Sequence, residues 1–168
     1  MNLPKPVRKV RAPKPLRRAG APRRSKRVRR ATKPRAPRLG TLRDKLWRLF
    51  AAYVKERDGS VCFTCDKEGM EGVNWHAGHL VTRRKGSVCY DPLNVHSQCS
   101  YCNRHLKGNA AEYAYRFIQR YGREKFDLLM LRSRRTREWK SAEILELIEA
   151  LQRGGADFEC LYEEKYGL

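Results

Sequence analysis

The chain has 168 residues, enough for one domain with appendages, and a net charge of +20. No run approaches the ~20 apolar residues needed to cross a bilayer, and no secretory signal is visible, so a cytosolic protein is expected. Six cysteines in that setting point to metal ligation rather than disulfides.

The charge is unevenly placed. Residues 1–40 carry sixteen Lys or Arg, seven of the eight prolines and no acidic residue. Residues 41–168 carry twenty-two basic and eighteen acidic residues, a balance of only +4. A segment so rich in Pro and like charge cannot bury enough apolar surface to offset its ordering entropy. It is expected to be a disordered basic arm that binds nucleic acid by releasing phosphate counterions. A solubility tail or a targeting segment is the plainer reading. An organellar transit peptide, however, is Ser-rich and amphipathic, whereas this arm has one Ser and no apolar period.

Thr41 and Asp44 fit a capping box, and Leu42, Leu46, Phe50 and Val54 then recur at helical spacing. A core-facing helix over about 42–57 follows, stopped at Gly59. Residues 61–66 (VCFTCD) read as a short strand and turn. Residues 73–81 read as a strand, Arg83 to Gly86 as a basic turn, and 87–90 as a returning strand broken by Asp91-Pro92. Asn94 to Gln98 leads into Cys99-Ser-Tyr-Cys102 and a short helix over about 101–107. Asn109 and Glu112 suggest a capped helix ending at Gly122, with Tyr113, Phe117, Ile118 and Tyr121 on its core face. Helical stretches at 123–132 and from Ser141 to Gly154 follow. The final thirteen residues show no clear pattern.

Two Cys-x-x-Cys pairs, Cys62/Cys65 and Cys99/Cys102, form the chemical signature. One tight turn can present both thiolates of a pair to one ion, so the four predict a tetrahedral structural zinc site. A thioredoxin-like dithiol would need a βαβ surround that is missing here. The long gap between the pairs implies an insert, and the insert holds His79. Cys89 and Cys160 are read as small buried hydrophobes.

The insert reads strand, basic turn, strand and helix, with His79, Asn94 and Asn103 along it. This resembles the HNH, or ββα-metal, nuclease motif. The resemblance implies that His79 is the general base, that Asn94 holds the loop and orients the imidazole, and that Asn103 ligates a catalytic Mg²⁺ or Mn²⁺ through its amide oxygen. The residue types suit the chemistry. A neutral imidazole accepts a proton near pH 7, and an amide oxygen is a hard ligand. One position departs from the pattern. The residue before the base is often a ligand, and here it is Gly78. His76 and His105 are then the candidate further ligands, while His96 is read as structural. Arg83, Arg84, Lys85, Arg104 and Lys107 are candidate phosphate contacts.

The order of features goes further. LWRLF, AGHLVTRR, NVHSQCSYCNRHLKGN and AAEYAYRFIQRYG follow one another over roughly residues 41–150. This looks like the NinG (Rap) recombination proteins of lambdoid bacteriophages. The resemblance implies a structure-specific endonuclease acting on branched DNA such as Holliday junctions, in the cytoplasm of a bacterial host. A homodimer is plausible, because a junction takes two symmetric nicks. The expected architecture is α+β: a disordered basic arm (1–40), a zinc-supported ββα-metal core with flanking helices (41–122) and a C-terminal helical region (123–168). A non-catalytic zinc-finger nucleic-acid-binding protein and an HNH nuclease that cuts linear duplex are the rival readings.

Overall fold

The computed structural model describes residues 36–167; most of the basic arm lies outside them. The first helix, α1, runs from Leu39 to Asp58. It starts earlier than the Thr41 capping box predicts. The Leu42 N–H already donates to the Arg38 carbonyl, so Thr41 lies inside the first turn and caps nothing. The apolar row is as expected: Leu42, Leu46, Phe50 and Val54 are all buried. Gly59 ends the helix at φ 71°, a backbone state that costs glycine little.

The segment 61–66 forms no strand. It is a turn, tied to the sheet by the Phe63 N–H donating to Ser97 O at 2.8 Å. Strand β1 (Trp75–His79) pairs antiparallel with β2 (Val95–Cys99), Trp75 opposite Cys99 and His79 opposite Val95. The returning strand is therefore 95–99 and not 87–90. All five β2 residues are buried, so the run shows no alternation of polar and apolar positions for a reader to find. Residues 86–88 form a 3-10 turn instead. Fifteen residues connect the two strands, far more than a hairpin needs.

A π-helical turn (Tyr101–His105) follows β2 directly. Then come α2 (Ala110–Tyr121), α3 (Arg123–Ser133), α4 (Ser141–Arg153) and α5 (Gly155–Tyr166). Asn109 precedes α2 in the left-handed region and makes no side-chain cap, and Glu112 pairs with Arg116 instead of closing a capping box. Ser141 is inside α4, where Lys140 is the cap position and its N–H donates to Glu143. The last residues form a helix, α5.

Two apolar clusters hold these elements. Helices α4 and α5 pack on α1 through Ile144, Leu147, Ile148, Phe158 and Tyr162, with Val95 beneath. On the other side Tyr113, Phe117 and Leu129 of α2 and α3 close over Phe63 and Val88. The long connection is pinned between them. Asp91 and Arg132 form a buried ion pair, Nη1 to Oδ2 3.2 Å, and Arg132 also meets Glu163 of α5. Burial pushes the Asp91 carboxyl up, and the Arg132 guanidinium beside it pulls the other way. Removing one partner would leave an uncompensated buried charge. Among the described residues, no helix is long and apolar enough to cross a membrane.

Candidate metal centre and adjoining cleft

The two knuckles meet. The sulfurs of Cys62, Cys65, Cys99 and Cys102 all lie within 4.8 Å of one another. A tetrahedron with Zn–S near ~2.3 Å has S–S edges of about 3.8 Å, and Cys65 Sγ is 3.8 Å from Cys99 Sγ. The donors around them suit thiolates. The Cys99 N–H points at Cys62 Sγ and the Cys102 N–H at Cys99 Sγ, at 3.3 and 3.4 Å. Burial resists ionisation of Cys62, but bonds from Thr64 and nearby backbone N–H groups bring its pKa down to about 6. The cluster is thus a four-cysteine site able to bind a metal such as zinc. It joins the 61–66 turn, the end of β2 and the π-helical turn. Cys89 is buried as expected, but Cys160 is exposed on α5.

Beside this centre an open cleft of about 350 Å³ is lined by His79, Thr82, Arg83, Asn103 and Lys107. The last residue of β1 and the π-helical turn therefore present His79 and Asn103 to the same space. His79 is held on two sides. Its ring stacks on Trp47 of α1, centroids 5.2 Å apart, and its Nε2 lies 3.1 Å from the Cys89 carbonyl. A carbonyl only accepts, so in the neutral ring Nε2 carries the proton and Nδ1 is the basic nitrogen. Burial lowers the His79 pKa to about 4; the bond to Cys89 opposes this and Arg83 adds to it. The imidazole is neutral at pH 7.

Asn94 is fully buried, and its side-chain hydrogen bonds go to Val81 and Val88 rather than to His79. Its Oδ1 accepts from the Val81 N–H at 2.7 Å, and its Nδ2 donates to the carbonyls of Val81 and Val88 at 2.9 and 2.8 Å. It thereby fixes both ends of the basic loop, and the loop in turn supplies the Cys89 carbonyl. What links Asn94 to His79 is the loop backbone between Val88 and Cys89, and among the described residues no side-chain hydrogen bond joins the two.

The other named residues separate. His76 lies three positions before His79 on β1, so the two side chains leave opposite faces; its Nε2 is buried without a partner. His105 is exposed and stacks on Tyr101, away from the cleft lining. Arg83 and Lys107 line the cleft, whereas Arg84, Lys85 and Arg104 are exposed outside it. His96 is structural as read. It is buried against Phe63, ring centroids 4.2 Å apart, and its Nδ1 lies 3.0 Å from Asp58 Oδ2. Gly78 is filled from across the sheet: a Cβ there would come within 2.6 Å of Gln98 Cδ and closer still to Oε1.

Sequence reasoning missed Trp47, the Cys89 carbonyl and Gln98. Trp47 sat in a helix whose apolar face looked like plain core. A backbone carbonyl leaves no mark in a sequence. The departure at Gly78 was the one signal pointing toward Gln98.

A family model described as Bacteriophage Lambda NinG protein matches residues 4–157. The ninG proteins of Escherichia phage 933W and Escherichia phage lambda are 35% and 33% identical to the chain over 78 residues, 45% of this chain and 38% and 37% of theirs. That of Salmonella phage P22 is 34% identical over 73 residues, covering 42% of this chain and 35% of the relative. The aligned stretch thus spans little more than a third of the length of these curated relatives. No solved structure matches the chain.

Proposed function

The chain belongs to the NinG family of bacteriophage proteins, and from that premise we propose that it is a metal-dependent endonuclease of HNH type acting on branched DNA such as Holliday junctions. The observation that carries the reading is the shared cleft. A clamped, neutral His79, bonded through Nε2, lines the same cleft as Asn103, Arg83 and Lys107.

In this reading His79 Nδ1 takes the proton of the attacking water. Asn94 and the Cys89 carbonyl keep the ring aimed, and Trp47 prevents it from swinging. Arg83 and Lys107 hold the phosphodiester by charge. Asn103 Oδ1 would be the hard donor for Mg²⁺ or Mn²⁺, and among the described residues no carboxylate lines the cleft. An ion held there would keep much of its shell as water and substrate oxygen, as Mg²⁺ commonly does. When bound, it would stabilise charge on the leaving oxygen and the transferring phosphoryl group. The four-cysteine site would carry zinc and hold the 61–66 turn, the end of β2 and the π-helical turn together.

The branched substrate comes with the family resemblance, and branch preference would rest on shape rather than base readout. The setting is the cytoplasm of an infected bacterium. A homodimer would place two such clefts for paired nicks.

The test compares wild type with His79→Ala on a four-way junction and on its separate linear arms, with Mg²⁺ or Mn²⁺. Wild type cuts the junction in preference to the arms, while the variant binds it and leaves it intact. Equal cutting of the arms would favour a linear-duplex nuclease. Binding without cutting by both proteins would leave a non-catalytic zinc module. Gly78 and the lack of a carboxylate among the described residues of the cleft favour that rival.

A further inference from the structure

A second cleft, about 560 Å³ in volume, opens on the far side of Arg83. Among the described residues four arginines line it, Arg43, Arg83, Arg84 and Arg137, against a single carboxylate, Glu138. They come from three separate elements: the start of α1, the basic turn and the linker between α3 and α4. That linker is fastened to the basic turn. Trp139 Nε1 donates to the Gly86 carbonyl at 2.8 Å. Gly86 must be small, because a Cβ there would sit 2.6 Å from the Arg137 carbonyl oxygen.

Two of the guanidinium groups are already ordered. Arg137 is sandwiched between Trp139 and Tyr166, 4.3 and 4.2 Å from their ring centroids. It meets Glu143 through Nη2, while its Nε is buried without an acceptor. Arg83 lies over Trp47 at 4.5 Å. Arg43 and Arg83 also converge on the cleft wall, where both pull the Cys89 and Tyr90 pKa values down against the burial that raises them. Four like charges in one cleft repel one another, so the arrangement favours an anion between them. Ordering the side chains in advance lowers the entropy lost on binding.

Arg83 lines both this cleft and the one holding His79. An isolated phosphate would satisfy one or two of these groups. A polyanion running from one cleft to the other meets all of them. We propose that Arg43, Arg84 and Arg137 form a groove for the sugar-phosphate backbone of the DNA strand on one side of the cut, the strand crossing between the clefts at Arg83. The proposal rests on the nuclease reading of the His79 cleft.

The test uses the full chain with zinc bound and a short labelled duplex, with binding followed by fluorescence anisotropy across a salt series. Arg43 and Arg84 are exposed, so Arg43→Ala/Arg84→Ala should fold normally. Arg153→Ala, which alters an exposed ion pair to Asp157 outside both clefts, is the control. Each lost phosphate contact lowers the slope of log K against log salt by about 0.9. The double variant should therefore lose close to two from the slope. Its KM for cleavage should rise at least tenfold with kcat held. Trimming the substrate on one side of the cut should weaken wild type and leave the double variant unaffected. A double variant with the wild-type slope would overturn the groove while leaving the nuclease reading intact. So would a loss confined to binding of polyglutamate, which would mark an acidic-protein site. Wild type that shows the groove's slope yet cuts nothing would remove the cutting role instead.

Discussion

His79 and Cys89 are joined by a hydrogen bond of 3.1 Å from the imidazole Nε2 to the backbone carbonyl. Cys89 follows Val88, whose own carbonyl is held by Asn94. A buried asparagine, a loop and an imidazole therefore form one chain of positions. Its result is a histidine whose Nε2 is held by the backbone, while burial keeps the ring neutral against that bond.

The pH dependence follows from that neutrality. Burial sets the His79 pKa at about 4 in the folded chain, against an ordinary 6.5. If His79 is the base, cleavage should be flat from about pH 8 to 5 and fall as the ring protonates near pH 4. Arg83→Ala should move that fall upward in pH by relieving the like charge. Stability has a matching sign. The unfolded chain binds the proton more readily, so the His79 contribution is present above pH 6.5 and is lost as pH falls toward 4. His79→Gln should flatten that part of a Tm-against-pH curve. A cleavage limb at pH 6.5 that ignores Arg83→Ala would sink the assignment.

Asn94→Ala removes three hydrogen bonds at once and leaves buried backbone groups at Val81 and Val88 unpaired. The expected loss is about 2–5 kcal/mol, read by urea unfolding of the zinc-loaded protein. Cleavage should fall further than the folded fraction does, because the Cys89 carbonyl is no longer fixed. Asn94→Asp retains the acceptor but loses the donor, so it should rescue little. Activity that merely tracks the folded fraction would confine Asn94 to stability.

Metal content separates the sulfur cluster from the cleft. The four sulfurs fit one tetrahedral ion, so one zinc per chain is expected from elemental analysis. Cys102→Ser, at a buried ligand position, should lose the zinc and lower Tm sharply, since binding and folding are coupled. Asn103→Ala should keep the zinc and the Tm while abolishing Mg²⁺-dependent cutting. Zinc loss in the Asn103 variant would merge the two sites and break this division.

Helices α1 to α4 and the metal cluster were readable in the sequence, for different reasons, whereas α5 was not. Leu42, Leu46, Phe50 and Val54 repeat with the turn of a helix that is half buried, and that contrast is visible in one dimension. The paired cysteines mark their turns by spacing alone. Strand β2 stayed hidden because Val95 to Cys99 is buried on both faces, including the polar His96, Ser97 and Gln98. Its signal is tertiary, since Asp58, Trp75 and Thr64 satisfy those polar groups from elsewhere in the chain. Of the residues named for the cleft, His79 and Asn103 were legible through motif order. His76 leaves the face of β1 opposite to His79, an alternation that was countable along the strand. Trp47 and Arg137 act through stacking across long separations, which no local pattern encodes.

Gly78 gives the last prediction, and it turns an apparent defect into a packing requirement. The Gln98 amide occupies the volume a side chain at position 78 would take. Gln98 cannot move aside cheaply. Its Nε2 donates to the Gly108 carbonyl at 2.9 Å and lies 3.3 Å from Thr64 Oγ1. Turning the amide over would set Oε1 against a carbonyl, so its orientation is fixed. Gly78→Ala should therefore cost about 2–4 kcal/mol through overpacking and broken hydrogen bonds. Gln98→Ala alone should also destabilise, by leaving Gly108 O without its donor and opening a small void. The double variant should be more stable than the sum of the two losses predicts by about 1–3 kcal/mol, because each change relieves the other. Additive losses in urea unfolding would show that the glycine answers to something other than Gln98.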